Sequence, residues 1–318
     1  MNKTTISIVM TSYNGEKHIL AQMESLRKQT READEVLILD DRSTDGTVEM
    51  IREFIREHEL KQWKLIVNQE KQGWKKNFIR GIRIAKGDFL FLCDQDDRWY
   101  PEKIKEMTET IEENDHIFLL ACDYKVIYET GAIRAKVYRK SREEQGNTIG
   151  KYQFRKRFFM NPNPGCTYVM RRSFVKETLD YWFSEAPHDE FFWLMATFQE
   201  GAFFYNKVLM DYIRYEKNAS GVRFKDIQMQ IENLKYIGTM LEKLESFARE
   251  HPGKVSEEKR TEIRKAEIWC QKRKKLMETR NPLRWVVMIP YWSYYNSIQN
   301  CLSDLYLVLF GSFYRNKI

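Results

Sequence analysis

The chain has 318 residues, 42% hydrophobic and 14% aromatic, enough to bury one large core or one domain with an appendage and too apolar for a disordered protein. Its net charge of +7 is modest and uneven: residues 225–318 hold 17 Lys and Arg against 11 Asp and Glu, +6 of the total. Five cysteines (Cys93, Cys122, Cys166, Cys270 and Cys301) lack metal-ligand spacing, and their odd number argues for a reduced protein rather than a disulfide framework or a zinc site. Met1-Asn2-Lys3-Thr4-Thr5 runs into the first apolar stretch without the pattern of a cleaved signal, so a site facing the cytoplasm is expected.

Ile6-Ser7-Ile8-Val9-Met10 reads as a buried parallel strand, followed by the polar turn Thr11-Ser12-Tyr13-Asn14-Gly15 and a helix over 16–28. Glu35-Val36-Leu37-Ile38-Leu39 repeats the unit, ending at Asp40-Asp41-Arg42-Ser43-Thr44-Asp45-Gly46-Thr47 before an amphipathic helix over 48–58. A strand near 64–68, a helix over 75–85 and the strand 89–93 complete the series. Such alternation predicts an α/β domain with a mostly parallel sheet, which binds ligands at the carboxyl ends of its strands. Every polar cluster named so far falls on that edge.

Phe89-Leu90-Phe91-Leu92-Cys93-Asp94-Gln95-Asp96-Asp97-Arg98-Trp99 delivers an apolar strand into three aspartates. Acids so close repel one another unless a cation, ligand hydroxyls or backbone donors compensate them, although Asp-rich turns also occur as plain solvated turns. Beyond this point the pattern predicts a strand over 118–126, a charged hairpin-like stretch near 130–142 and the turn Asn161-Pro162-Asn163-Pro164-Gly165. A strand over 167–170 and helices over 173–183 and 189–198 follow. From Lys225 the pattern is almost wholly helical with no strand signal, so a boundary near Phe224 separates 1–224 from 225–318.

Ser7-Ile8-Val9-Met10-Thr11-Ser12-Tyr13-Asn14-Gly15, Leu39-Asp40-Asp41-Arg42-Ser43-Thr44-Asp45-Gly46-Thr47 and Cys93-Asp94-Gln95-Asp96-Asp97-Arg98-Trp99, in this order and spacing, resemble the inverting glycosyltransferases of family 2, which have the GT-A fold. The Asp-Gln-Asp-Asp form, with His188-Asp189-Glu190 and the segment from Tyr212 to Gly221, is similar to the rhamnosyltransferase-like branch found in bacterial capsule and O-antigen assembly. The resemblance covers residues 5–224.

It implies that Thr11, Tyr13 and Asp41, with Asp40 beside it, hold the nucleotide base and ribose, a carboxylate suiting a uracil or thymine imide. The alternative is that Asp40 and Asp41 cap the following helix. Lys75 and Lys76 could approach phosphate or simply form a solvated face. It also implies that Asp94 contacts ribose or sugar while Asp96 binds Mg²⁺ or Mn²⁺ on the diphosphate. Tyr215 stands where relatives carry a further His ligand, which leaves the metal shell one ligand short, and Arg214 offers positive charge there instead. Asp189 matches the general base, with an N-cap as its alternative and Glu190 as runner-up; His188 is a packing neighbour. Gly165 and Cys166 shape the acceptor pocket, and Trp99 either stacks on a sugar or lies in the core.

The implied reaction moves a sugar from a UDP- or dTDP-sugar, rhamnose included, to a saccharide acceptor, lipid-linked, in bacterial surface polysaccharide synthesis. The different-class alternative is an inactive sugar-nucleotide-binding or scaffold subunit. Lys272-Arg273-Lys274-Lys275 and Arg280, next to the aromatic stretch 282–292, suit an anionic membrane surface, while packing on the protein or on a second subunit remains the alternative. Expected location is therefore the cytoplasm, with a peripheral place on the inner face of the plasma membrane left open; a spanning helix and nucleic-acid binding are not expected.

Overall fold

The computed structural model describes residues 4–128, 148–154, 161–214 and 223–315. Tyr215 and the hairpin-like stretch near 130–142 lie outside them. In chain order the elements begin with β1 (Ile6–Ser12), α1 (Ile19–Arg27), β2 (Glu35–Asp40), α2 (Thr47–Glu57), β3 (Trp63–Val67), α3 (Trp74–Ile84) and β4 (Phe89–Cys93). Next come β5 (Arg98–Trp99), α4 (Lys103–Glu112), β6 (Leu119–Tyr128), β7 (Ile149–Lys151), β8 (Tyr168–Arg171), α5 (Arg172–Thr178), α6 (His188–Phe198) and β9 (Ala202–Arg214). The C-terminal part holds β10 (Arg223–Asp226), α7 (Ile227–Glu250), α8 (Glu257–Thr279), α9 (Leu283–Val286), α10 (Ile298–Phe310) and β11 (Ser312–Arg315).

The chain divides into two compact units. One comprises residues 1–152, 162–180 and 187–218; the other comprises 153–161, 181–186 and 219–318. The first unit is built on a sheet in the order β3-β2-β1-β4-β8-β6-β9-β5, with β7 paired to β9. Strands β3, β2, β1 and β4 run parallel, as alternation with helices requires, and β8 enters antiparallel between β4 and β6. Nearly every residue of β1 and all of β4 are buried, the signature of strands covered on both faces. This is the mixed α/β, GT-A-type architecture that the motifs imply.

Register fixes where the polar ends of these strands meet. Met10 pairs with Cys93 on one side of β1, and Ser12 pairs with Asp40 on the other. The residues just past these pairs therefore emerge together, beside the point where the chain order reverses between β1 and β4. That crevice is where open parallel sheets bind ligands.

The second unit is helical but not wholly so. β10 and β11 pair antiparallel, Asp226 opposite Ser312, which corrects the expectation of no strand after Lys225. Gly311 ends α10 with a φ of 83°, a conformation that favours glycine, and so turns the chain back toward β10. Asp226 then caps α7, its Oδ1 accepting from the Met229 amide at 2.7 Å. Among the described residues no helix is long and apolar enough to cross a membrane.

Candidate active site

A cleft of about 550 Å³ opens at the carboxyl ends of β1, β2 and β4. Of the residues singled out in the sequence, Thr11, Tyr13, Asp41, Asp94, Asp96 and Arg214 line it. Lys71, Trp74, Phe78, Gln95 and Tyr212 line it as well, none of which the sequence reading assigned a role there. Lys75 and Lys76 are not among the lining residues; the lysine in the wall is Lys71, whose Nζ lies 3.6 Å from the centre of the Tyr13 ring.

Asp40 and Asp41 part company. Asp40 is fully buried and joins β1 to its own turn, accepting from the Ser12 hydroxyl at 2.8 Å and from the Ser43 amide and hydroxyl at 2.8 and 2.6 Å. Asp41 points to the next loop: Oδ1 accepts from Asn68 Nδ2 at 2.9 Å and the Gln72 amide at 2.7 Å, and Oδ2 from the Gly73 amide at 2.8 Å. Three of the carboxylate's four or so acceptor positions are taken, and the donors hold the cleft wall that carries Lys71 and Trp74. Neither acid caps α2, whose N-cap is Gly46 without a side-chain bond.

Gln95 ties the acidic segment to β1. Its Oε1 accepts from the Tyr13 amide at 2.9 Å and its Nε2 donates to the Tyr13 carbonyl at 3.1 Å. On either side, Asp94 and Asp96 face the cleft, while Asp97 turns inward and is buried. Asp97 Oδ1 accepts from the Ile213 amide at 3.3 Å, and Oδ2 is buried without a protein partner. The ligand atoms of Asp94, Asp97 and Cys166 lie within 4.8 Å of one another. Asp96 stands outside that group, and a cysteine joins it although the cysteine spacing gave no hint of one.

Burial first, then repulsion from Asp96, raises the Asp94 carboxyl to about 7. Burial and the Asp94 charge push Asp97 well above the carboxylate range, and burial raises Asp96. The Cys166 thiol is pushed up by burial and by the charges of Asp97 and Asp94, so it is a neutral hydrogen-bonding group rather than a thiolate. Crowded carboxylates with an orphaned oxygen fit a hard, oxygen-seeking divalent cation, and a protonated thiol adds little to such a shell. Beneath them Lys103, fully buried, donates to the Cys166 carbonyl at 2.6 Å and to Met210 Sδ at 3.2 Å, with its Nζ 3.8 Å from the centre of the Trp99 ring.

That contact settles Trp99. Its side chain is buried and packs against Phe91, 5.8 Å between centroids, so the sugar-stacking option is corrected to a core role.

The segment His188-Asp189-Glu190 forms the first turn of α6, whose N-cap is Pro187 and has no side-chain cap bond. Asp189 is therefore not the N-cap; its Oδ1 accepts from the Glu190 amide at 2.8 Å. Glu190 is half-buried beside it. His188 is buried, stacked on Phe78 at 3.9 Å and edge-on to Trp74 at 5.7 Å, and so backs the cleft wall. Burial lowers it to about 4, only partly offset by the Asp189 charge, which leaves a neutral ring near pH 7. Gly165 permits the close approach: a Cβ there would lie 2.9 Å from His188 Nε2 and 3.0 Å from Asp189 Cβ. The Asp189 charge also raises Asp94, so the two acids share one electrostatic neighbourhood. Arg214, at the end of β9, lines the cleft 5.4 Å from the centre of the Tyr212 ring.

The chain is 30% identical over 178 residues to the dTDP-rhamnosyl transferase RfbG of Shigella flexneri, covering 54% of this chain and 55% of that protein. Among solved structures it is similar to S. aureus TarS 1–349 in complex with UDP-GlcNAc, with a TM-score of 0.60 and 17% identity over 99% of this chain and 94% of the other. It is also similar to the mannosyltransferase PcManGT from Pyrobaculum calidifontis in complex with GDP-Man and Mn²⁺, with a TM-score of 0.54 and 13% identity over 98% and 77% of the two chains. At these identities the structural likeness shows the fold. The matches span 36 to 60% of the length of curated relatives. The family model described as Glycosyl transferase family 2 matches residues 7–179, more than half of the sequence, and the chain belongs to that family.

Proposed function

We propose that this protein is an inverting glycosyltransferase that moves a sugar from a UDP- or dTDP-sugar to a saccharide acceptor carried on a lipid, in bacterial surface polysaccharide synthesis. Residues 1–224 act as the catalytic part and 225–318 as a helical extension. The observation that carries the reading is the convergence of Tyr13, Asp41, Asp94 and Asp96 on one cleft at the strand ends. The name of RfbG, a dTDP-rhamnosyl transferase, favours a deoxythymidine donor and rhamnose; the nucleotide sugar in the TarS complex keeps UDP donors in view.

In this reading Tyr13 and the remaining acceptor position of Asp41 meet the base, and Lys71 and Arg214, which line the same cleft, answer diphosphate charge. Asp94, Asp96 and Asp97 would hold Mg²⁺ or Mn²⁺, which when bound neutralises charge on the departing nucleoside diphosphate. Asp189 takes the proton of the acceptor hydroxyl as that oxygen attacks the anomeric carbon from the face opposite the leaving group. The neutral His188 ring orients the turn that carries Asp189 and takes no proton.

Donor binding and hydrolysis, screened over UDP- and dTDP-sugars with Mn²⁺, tests this directly. One nucleotide class should bind and turn over slowly without acceptor. Binding without any turnover, with or without acceptor saccharides, would replace the enzyme by the sugar-nucleotide-binding subunit.

A further inference from the structure

α10 is an amphipathic helix with its faces exchanged. Its one charged side chain, Asp304, is buried, and both of its oxygens accept from Arg273, at 2.6 and 2.9 Å. The Tyr295 hydroxyl donates to the same carboxylate at 2.8 Å. Left outside are Ile298, Leu302, Tyr306, Leu309 and Phe310, each 47 to 66% exposed. These positions recur at helical spacing and form one stripe. Upstream, Leu283, Val286, Ile289 and Trp292 are 48 to 77% exposed and enlarge the apolar surface of the same unit. Exposed apolar residues scattered singly are ordinary, whereas a concentration of this kind marks an interaction surface.

The charge beside this surface is predominantly basic, its exposed acid Glu278 lying 3.8 Å from Lys274. From Asn281 to Phe310 the sequence holds two charged residues, Arg284 and the buried Asp304, so no acid is exposed there. Lys275 and Arg280, both exposed, precede it at the end of α8. A second copy of the chain would set like charge against like. Trp292 and Tyr306, apolar rings with one polar atom, suit a boundary between water and hydrocarbon.

We propose that this face of the helical unit docks on the surface of an anionic lipid bilayer, the apolar stripe of α10 lying in the plane of the interface while Lys275, Arg280 and Arg284 meet lipid phosphates. The 13 residues of α10 are too few to span, which leaves the in-plane position.

The test is sedimentation of the full chain with vesicles of equal parts phosphatidylglycerol and phosphatidylcholine, with pure phosphatidylcholine, and without vesicles. The wild type should partition at least about tenfold better onto the anionic vesicles and be released by raised salt. The triple variant Leu302→Ser, Tyr306→Ser, Phe310→Ser should lose most of that binding with an unchanged thermal melt. Should it fold poorly, the pair Lys275→Glu, Arg280→Glu must weaken binding by itself. Equal recovery on both vesicle types, binding unaffected by either set of substitutions, or a stable dimer in light scattering with no vesicle binding would each overturn the proposal.

Discussion

The Lys103 ammonium lies in the core, 2.6 Å from the carbonyl of Cys166, the residue whose thiol neighbours Asp94 and Asp97. It is a cation common to the surroundings of Asp94, Asp97 and Cys166, and it lowers all three. Asp94 at the cleft and the buried Asp97 thus share an internal counter-charge bound to a backbone carbonyl.

Lys103→Met should therefore destabilise the protein by about 2 kcal/mol, since the Cys166 carbonyl loses a charged donor and the acids lose their counter-charge. Urea unfolding near pH 7 measures it. No change would mean that water or a rotated side chain replaces the ammonium at no cost.

Asp96→Asn and Asp97→Asn should each weaken Mn²⁺ binding, read by electron paramagnetic resonance, and slow transfer by about a hundredfold, the scale of losing a charge-stabilising group. Excess EDTA should stop the wild type. Full turnover in EDTA would pass the charge-compensating role to Lys71 and Arg214.

Asp189→Asn should bind donor nucleotide as the wild type does and transfer sugar about a hundredfold more slowly or worse, the usual contribution of a positioned base. The comparison variant is Glu190→Gln. If that change abolishes transfer while Asp189→Asn does not, the base is Glu190.

His188 has a pH signature. Its folded value near 4 lies below the ordinary 6.5, so the stability it contributes is present above 6.5 and is lost as pH falls toward 4. At pH 5 the loss is about 2 kcal/mol. Asp94, raised by burial, works in the opposite sense over the same interval, so the difference between wild type and His188→Asn isolates the histidine. Denaturation midpoints at pH 7 and pH 5 should show a smaller acid-side loss in the variant.

The sheet was legible because its strands are short apolar runs that end in polar turns, and β1, β2 and β4 are each followed directly by a cleft residue, Tyr13, Asp41 and Asp94. Asp41, Asp94 and Asp96 could be found that way. The meeting of Asp97 with Cys166 could not, since it depends on β8 pairing antiparallel with β4 across a long separation in sequence. Lys103 opens a charged helix and reads as solvated until the packing of Trp99 over it is seen. Trp99 beside a row of acids looks the same whether its ring faces a sugar or Phe91. The pairing of β10 with β11 escaped for a related reason: two strands of four residues with charges in them carry no period to detect.

The Arg273–Asp304 pair balances charge within the interior of the helical unit. A chain shortened before Ile298 would keep Arg273 against the Gln230 oxygen at 3.2 Å but remove the carboxylate that neutralises it. Uncompensated, a buried guanidinium costs several kcal/mol and would pull water or a foreign anion inside. The helix that shows its apolar side to solvent is thus also the one that balances the interior charge, so deletion would confound loss of binding with loss of fold, and single-residue changes on the outer stripe are the cleaner instrument.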